Sequence, residues 1–246
     1  MSWEKLIQRC DTLPSTNDRA KELARQGAPE GTAVIARSQT AGRGRLGRSF
    51  HSPAGTGLYM SVILRPRCTA AQLMHLTCAV ALAACDAVEA TAGVRPGIKW
   101  INDLTLGSCK LGGILTELSF APDGTVDFAV VGIGINCSGD FPEELRGIAC
   151  SLEGTVTCEV LAEALIDTLE EMNHQLLTDQ KAIMDRYRRD CITLGRQVRV
   201  ISPSETRQAL AESVNDDGSL VVLFEDGQRT TVSAGEVSVR GLWDYI

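Results

Sequence analysis

The residues best suited to chemistry lie between Gln39 and Phe50, where the chain reads Gly42-Arg43-Gly44-Arg45-Leu46-Gly47-Arg48. Guanidinium groups grip carboxylates and phosphates through paired N–H donors, and glycine lets backbone amides approach the same anion. The first six of these residues match G-x-G-x-x-G. A dinucleotide fold needs a helix opening at the last glycine and an acid about 20 residues on. Here Ser52-Pro53-Ala54-Gly55-Thr56-Gly57 follows, which is not helical, and position 67 is Arg. No Gly-Lys-Ser/Thr closes the loop, so a P-loop is excluded too. What remains is an anion-binding loop. From Gly31 to Cys85 the chain has six Arg and no Asp or Glu, within a protein of net charge −7. A solvated basic face would give no reason to interleave glycines with the arginines. Four Arg in the stretch 37–48 repel one another, so this loop is expected to be mobile until an anion compensates them.

Two further groups of residues stand out. Lys99-Trp100-Ile101-Asn102-Asp103 is followed by Lys110-Leu111-Gly112-Gly113-Ile114-Leu115, and Val131-Gly132-Ile133-Gly134-Ile135-Asn136 places two glycines inside an apolar run. Taken singly, Asn102-Asp103 is an ordinary turn and Lys110 an edge residue with its stem along the sheet. Glycine inside a strand often marks a close approach of a ligand or another backbone.

The elements that must position these residues follow from periodicity and breakers. A helix is expected over Ser15–Gln26, capped by Ser15 or Thr16 and stopped at Gly27. Strands are expected at 32–37 and 58–64, then a long Ala-rich helix over 69–92 ended by Gly93. Strands follow at 97–100, 104–106, 110–118 and 125–136, with turns at Gly107-Ser108 and Asp123-Gly124. Residues 158–177 and 180–190 read as helices. Beyond Gly195 come short β runs at 196–202, 208–213, 219–224, 229–232 and 236–240, cut by Pro203-Ser204, Asn215–Gly218 and Glu225–Gly227. Such a series suggests a small barrel. The boundary is placed near 190–195, giving domains 1–190 and 191–246.

In order and spacing, Ser15-Thr16-Asn17, Gln39 to Gly47, Lys99 to Leu115 and Gly132 to Asn136 resemble the biotin–protein ligase family. The resemblance runs from about residue 11 to 240. It implies an α+β fold, a class II synthetase-like mixed sheet with helices packed against it, followed by an SH3-like barrel. It also implies a two-step reaction. Biotin and MgATP give biotinyl-5′-adenylate, and a lysine of a biotin carboxyl carrier domain then takes the biotinyl group. By position, Ser15, Thr16, Asn17 and Gln39 would line the biotin pocket. Arg43, Gly44 and Arg45 would fold over biotin and adenylate. Lys110 would bridge the biotin carboxylate and the phosphoryl oxygens, and is implied as catalytic with Arg43 and Arg45. Phe50 would stack on adenine, with Asn102 near the phosphates and Asn136 near the nucleotide. Ile101 stands where the family usually has Pro. No prosthetic group or resident metal is implied.

Two rivals share parts of this pattern: a lipoate–protein ligase, and a biotin-binding sensor that never transfers. Only 14 residues precede Ser15, so specific DNA binding through a helix-turn-helix domain is not expected. Monomer and homodimer both stay open. Nine Cys without a C-x-x-C pair read as free thiols of a cytoplasmic protein. His51, His75 and His174 are the only histidines, and none lies near a Cys pair, so structural zinc is not expected. Apolar runs are interrupted before about 18 residues, so no membrane span is expected.

Overall fold

The structure, a computed structural model, describes residues 2–139, 141–202, 205–233 and 238–241. Glycines and short polar breaks divide it into β1 (Ile7–Leu13), α1 (Thr16–Arg25), β2 (Ala33–Gln39), β3 (Gly57–Leu64), α2 (Leu76–Ala92), β4 (Gly97–Lys99), β5 (Asp103–Leu106), β6 (Cys109–Phe120) and β7 (Val126–Asn136). Then come α3 (Cys158–Gln175), α4 (Gln180–Asp190) and β8 (Gln197–Ile201), β9 (Thr206–Val214), β10 (Leu220–Phe224), β11 (Arg229–Val232) and β12 (Ser238–Gly241). The first seven strands form one mixed sheet in the order β1-β2-β3-β7-β6-β5-β4, with β1 and β2 parallel and the other pairs antiparallel. The last five form an antiparallel sheet, β11-β10-β9-β8-β12. The turn expected at Pro203-Ser204 lies outside the described residues, as do 236 and 237 of the last expected strand.

Side-chain alternation divides the large sheet into two faces. On β3 and β7, Leu58, Met60, Val62, Leu64 and Ala129, Val131, Ile133, Ile135 join the main core beneath α2 and α3. Ile63, Phe128 and Val130 point the other way and pack with Ala20 and Ala24 of α1. The same face carries Ser61, Gly132 and Gly134, so the side chains run out just beyond the first turn of α1. Arg65 secures the far end of α1 by donating to the carbonyls of Ala24 and Ala28 at 2.7 and 2.9 Å. That arginine of the acid-free window is therefore structural.

The helix expected over 69–92 is broken. A 3-10 turn spans Ala71–Leu73, and α2 begins only at Leu76. By length and apolarity alone the stretch 71–92 would suffice to cross a membrane, contrary to the sequence reading, but most of it is buried against the sheet and α3. It ends at Gly93, whose φ of 70° closes the helix in the left-handed conformation that glycine adopts without penalty. All nine Cys are free thiols. Burial pushes the Cys78 and Cys85 thiols well up, so both stay protonated and unreactive.

His75 marks the start of α2. Its Nε2 donates to the carbonyl of Leu176 at 2.8 Å, while Nδ1 is buried without a hydrogen-bond partner. Burial lowers its pKa from 6.5, against the smaller opposing pulls of that carbonyl and of Asp216. The unfolded chain therefore binds a proton that the folded protein resists. This contribution to stability is complete above about pH 6.5 and is lost as pH falls below it. Urea titrations at pH 7.5 and 5.5 should show a loss of stability on acidification that is smaller in His75→Gln. An equal loss in both proteins would remove His75 from the account.

Candidate active site

Thr16 and Asn17 open α1 directly above the glycine-bearing stretch of β7. Ser15 holds the N-cap position, but its side chain makes no capping hydrogen bond, contrary to the expected role. Gln39 provides the acceptor instead: its Oε1 takes the Thr16 amide at 2.9 Å and the Thr16 hydroxyl at 3.2 Å. Its Nε2 donates to Ser52 Oγ at 3.0 Å, and that hydroxyl donates to the carbonyl of Phe50. Gln39 thus ties the helix terminus to the return of the arginine loop.

The Gly/Arg segment is a hydrogen-bonded hairpin rather than an open loop. Phe50 N–H donates to Gly42 O at 2.8 Å, Arg43 bridges Ser49, and Gly44 N–H donates to Arg48 O at 2.7 Å. Leu46 and Gly47 sit at the tip with φ of 56° and 72°, the two successive positive values that tight hairpin turns need. Gly42 is required by contact: a Cβ there would lie 2.5 Å from the Phe50 carbonyl oxygen. The like charges of this segment are met by acids brought from elsewhere in the chain. Arg43 pairs with Asp18 at 2.6 Å and Glu117 at 3.2 Å. Arg45 donates to Asn102 Oδ1 at 3.1 Å. Burial lowers the Arg45 pKa, an effect opposed by Asp103.

The floor is made by residues that alternate toward this face on adjacent strands. Gly113 lies opposite Gly134 and Leu115 opposite Gly132 in the β6–β7 ladder. Side chains, not only a ligand, occupy the space the glycines leave. A Cβ on Gly132 would fall 2.0 Å from Asn17 Oδ1, and one on Gly134 would fall 2.6 Å from the Phe50 ring. That ring stands edge-on to Tyr59, 6.3 Å between centroids. Ser61, at the centre of β3, donates to Asn17 Oδ1 at 2.6 Å, and its oxygen lies 2.8 Å from the Thr16 hydroxyl. Lys110 Nζ reaches Asp103 Oδ1 at 2.5 Å. Asn102 Nδ2 donates to Ile114 O at 3.1 Å, and Asn136 Nδ2 to Cys150 O at 2.9 Å.

Between hairpin and floor lies a cavity of about 470 Å³. Ser15, Thr16, Asn17, Gln39, Arg43, Gly44, Arg45, Phe50, Asn102, Lys110 and Asn136 all line it, so the fold brings together the candidate biotin, nucleotide and catalytic residues. Lys99, Arg48 and Arg199 of β8 add positive charge, and Asp103 is the one carboxylate among the lining residues. In a protein of net charge −7 this is a concentrated site for an anion. Phe141, Leu145 and Ile148 add an apolar rim to the cavity. Sequence reasoning missed Ser61, Glu117 and this rim. A lone serine in the apolar run 57–64 and a lone acid two residues beyond Leu115 were the available signals. Among the described residues no three His, Cys, Asp or Glu side chains gather to hold a metal ion.

The chain matches two family descriptions, the biotin/lipoate A/B protein ligase family over residues 10–136 and the biotin protein ligase C terminal domain over 193–240. It is 36% identical to the bifunctional ligase/repressor BirA of Bacillus spizizenii, over 91% of this chain and 71% of that protein. It is 33% identical to the biotin–(acetyl-CoA-carboxylase) ligase of Mycobacterium tuberculosis, over 96% of this chain and 89% of that one. The structure of the Aquifex aeolicus biotin protein ligase in complex with biotin and ATP superposes with a TM-score of 0.81 at 26% identity, covering 96% and 99% of the two chains. With its helix-flanked mixed sheet, its second small sheet and all the matched motifs facing one cavity, the chain belongs to the biotin–protein ligase branch of the biotin/lipoate A/B protein ligase family.

Proposed function

We propose that this protein activates biotin with MgATP and transfers it to a lysine of a biotin carboxyl carrier domain of acetyl-CoA carboxylase. One observation carries the reading. A single cavity is lined both by uncharged polar groups, Ser15, Thr16 and Gln39, and by a cluster of Lys and Arg. A ureido ring needs neutral donors and acceptors, and a carboxylate approaching a triphosphate needs fixed positive charge.

In the first step the biotin carboxylate oxygen attacks the α-phosphorus of ATP and pyrophosphate leaves. Two anions must be brought together in line, so the residues' work is positioning and charge compensation rather than covalent catalysis. Lys110, Arg43 and Arg45 are assigned to the carboxylate and phosphoryl oxygens, with Asn102 beside them. Asn136 and Phe50 are assigned to the nucleotide, and Ser15, Thr16, Asn17, Gln39 and Gly44 to biotin. In the second step the carrier lysine amine attacks the mixed-anhydride carbonyl and AMP leaves. The catalytic unit is assigned to residues 1–190 and the small sheet to 191–246. Biotin-dependent exchange of labelled pyrophosphate into ATP tests the first step. Exchange with biotin and none with lipoate supports the reading; exchange with lipoate alone overturns it.

Stacking of a base on an aromatic ring is worth about 1–3 kcal/mol in nucleic-acid sites. Phe50→Ala should therefore raise the ATP KM roughly ten-fold while biotin binding without ATP changes little. If Phe50 serves only to cover Gly134 and Tyr59, the variant loses thermal stability and keeps its ATP KM.

A further inference from the structure

We propose that Glu117 is a positioning residue that holds Arg43 and Asn17 in the orientation the substrate anion and biotin require. The inference rests on the biotin-activating reading above and assigns a role to a residue outside the motifs.

Glu117 follows Gly113 and Leu115 on the site face of β6, opposite Val130. Its side chain is 26% exposed, enough shelter for its contacts to be stronger than those of a surface ion pair. Three donors converge on it, two from α1 and one from the hairpin. Asn17 Nδ2 donates to Oε2 at 2.8 Å, Arg43 NH2 to the same oxygen at 3.2 Å, and Lys21 Nζ to Oε1 at 3.0 Å. Asp18 completes the group, accepting from Arg43 at 2.6 Å and Lys21 at 2.9 Å. Two acids and two bases therefore balance between the first turns of α1, the C-terminal half of β6 and the base of the hairpin.

This geometry does two things. By accepting from the Asn17 amide together with the Leu115 carbonyl, Glu117 turns Asn17 Oδ1 toward the Ser61 hydroxyl, over Gly132. By taking Arg43 NH2, it fixes the guanidinium plane at the cavity wall before any ligand arrives. A charged group already aimed at a developing charge costs no reorganisation during the reaction. Lys21 matters as well: it shares both carboxylates, so the acids stay compensated if Arg43 shifts onto a substrate oxygen. Neither Glu117 nor Lys21 lines the cavity, so both act through other residues.

Glu117→Gln is the informative variant, because the amide oxygen still accepts from Asn17 while the negative charge facing Arg43 is lost. In biotin-dependent pyrophosphate exchange it should raise the biotin KM about ten-fold, within the range of coupled neighbours. In an Arg43→Ala background the same change should alter KM less than about two-fold, because the residue acts through Arg43. Amide exchange of the 42–48 hairpin in the ligand-free protein should quicken in Glu117→Gln, with the thermal midpoint little changed. An equal effect of Glu117→Gln in both backgrounds, or no change in KM and hairpin exchange, would overturn the proposal while leaving the function intact. Wild-type protein without biotin-dependent exchange would instead overturn the functional reading and this proposal together.

Discussion

Lys110→Met slows formation of biotinyl-adenylate by roughly 100-fold or more, the loss typical of removing a fixed donor from a transition state. The substitution keeps most of the stem and removes only the charge. Lys110 Nζ lies 2.5 Å from Asp103 Oδ1, so the variant also leaves a carboxylate in the cavity without its ammonium neighbour, facing incoming phosphates. Part of the loss is therefore electrostatic repulsion, and Asp103→Asn added to Lys110→Met should recover some of it. Transfer from preformed biotinyl-adenylate should fall much less, because the anhydride is already activated. Pyrophosphate release and carrier labelling from added adenylate measure the two halves separately. Unchanged adenylate formation would remove Lys110 from the catalytic residues. Equal loss in both halves would mean a cavity that no longer holds the intermediate.

Gly132→Ala should cost about 100-fold in biotin affinity, the scale on which an error of about 1 Å in a site is felt. The new methyl would sit 2.0 Å from Asn17 Oδ1. Gly132 cannot yield, because it pairs with Ser61 of β3 on one side and Leu115 of β6 on the other. Asn17 must move instead, against its bonds to Ser61, Glu117 and the Leu115 carbonyl. Displacing it shifts the first turn of α1, which carries Ser15 and Thr16. Overpacking of this kind also destabilises by about 1–3 kcal/mol. Shortening Asn17 to Ser in the same protein makes room for the methyl and should restore most of the lost stability without restoring biotin affinity. Calorimetric titration with biotin and thermal melts separate the two effects. Wild-type affinity in Gly132→Ala would show that the floor has slack the geometry does not suggest.

What the sequence disclosed and what it withheld divide along physical lines. The hairpin arginines, the Lys110 strand and the two glycines of β7 are local patterns of residue type, and all came together at one cavity. Strands with strong apolar runs, such as β3 and β7, were legible for the same reason. The strand Ile7–Leu13 was not, because it is a half-exposed edge strand whose IQRCDTL carries little apolar alternation and is held by parallel pairing to β2. The break before α2 was hidden by an apolar sequence that suits either one helix or two pieces. Ser61, Asp18 and Glu117 became site neighbours only through sheet register and the seating of α1, which no local window contains. The acid-free window therefore looked uncompensated in sequence, whereas the fold supplies Asp18 and Glu117 to Arg43 and sets Asp103 near Arg45 from outside it.

One cavity is assigned both the activation of biotin and its delivery to a protein lysine. The direct test is intact-mass measurement of a biotin carboxyl carrier domain incubated with this protein, biotin and MgATP. The account predicts one biotinyl mass increment on the carrier, absent when ATP or biotin is omitted and absent when the carrier's acceptor lysine is replaced by Arg. A carrier of unchanged mass, from protein that binds biotin and ATP, would contradict it.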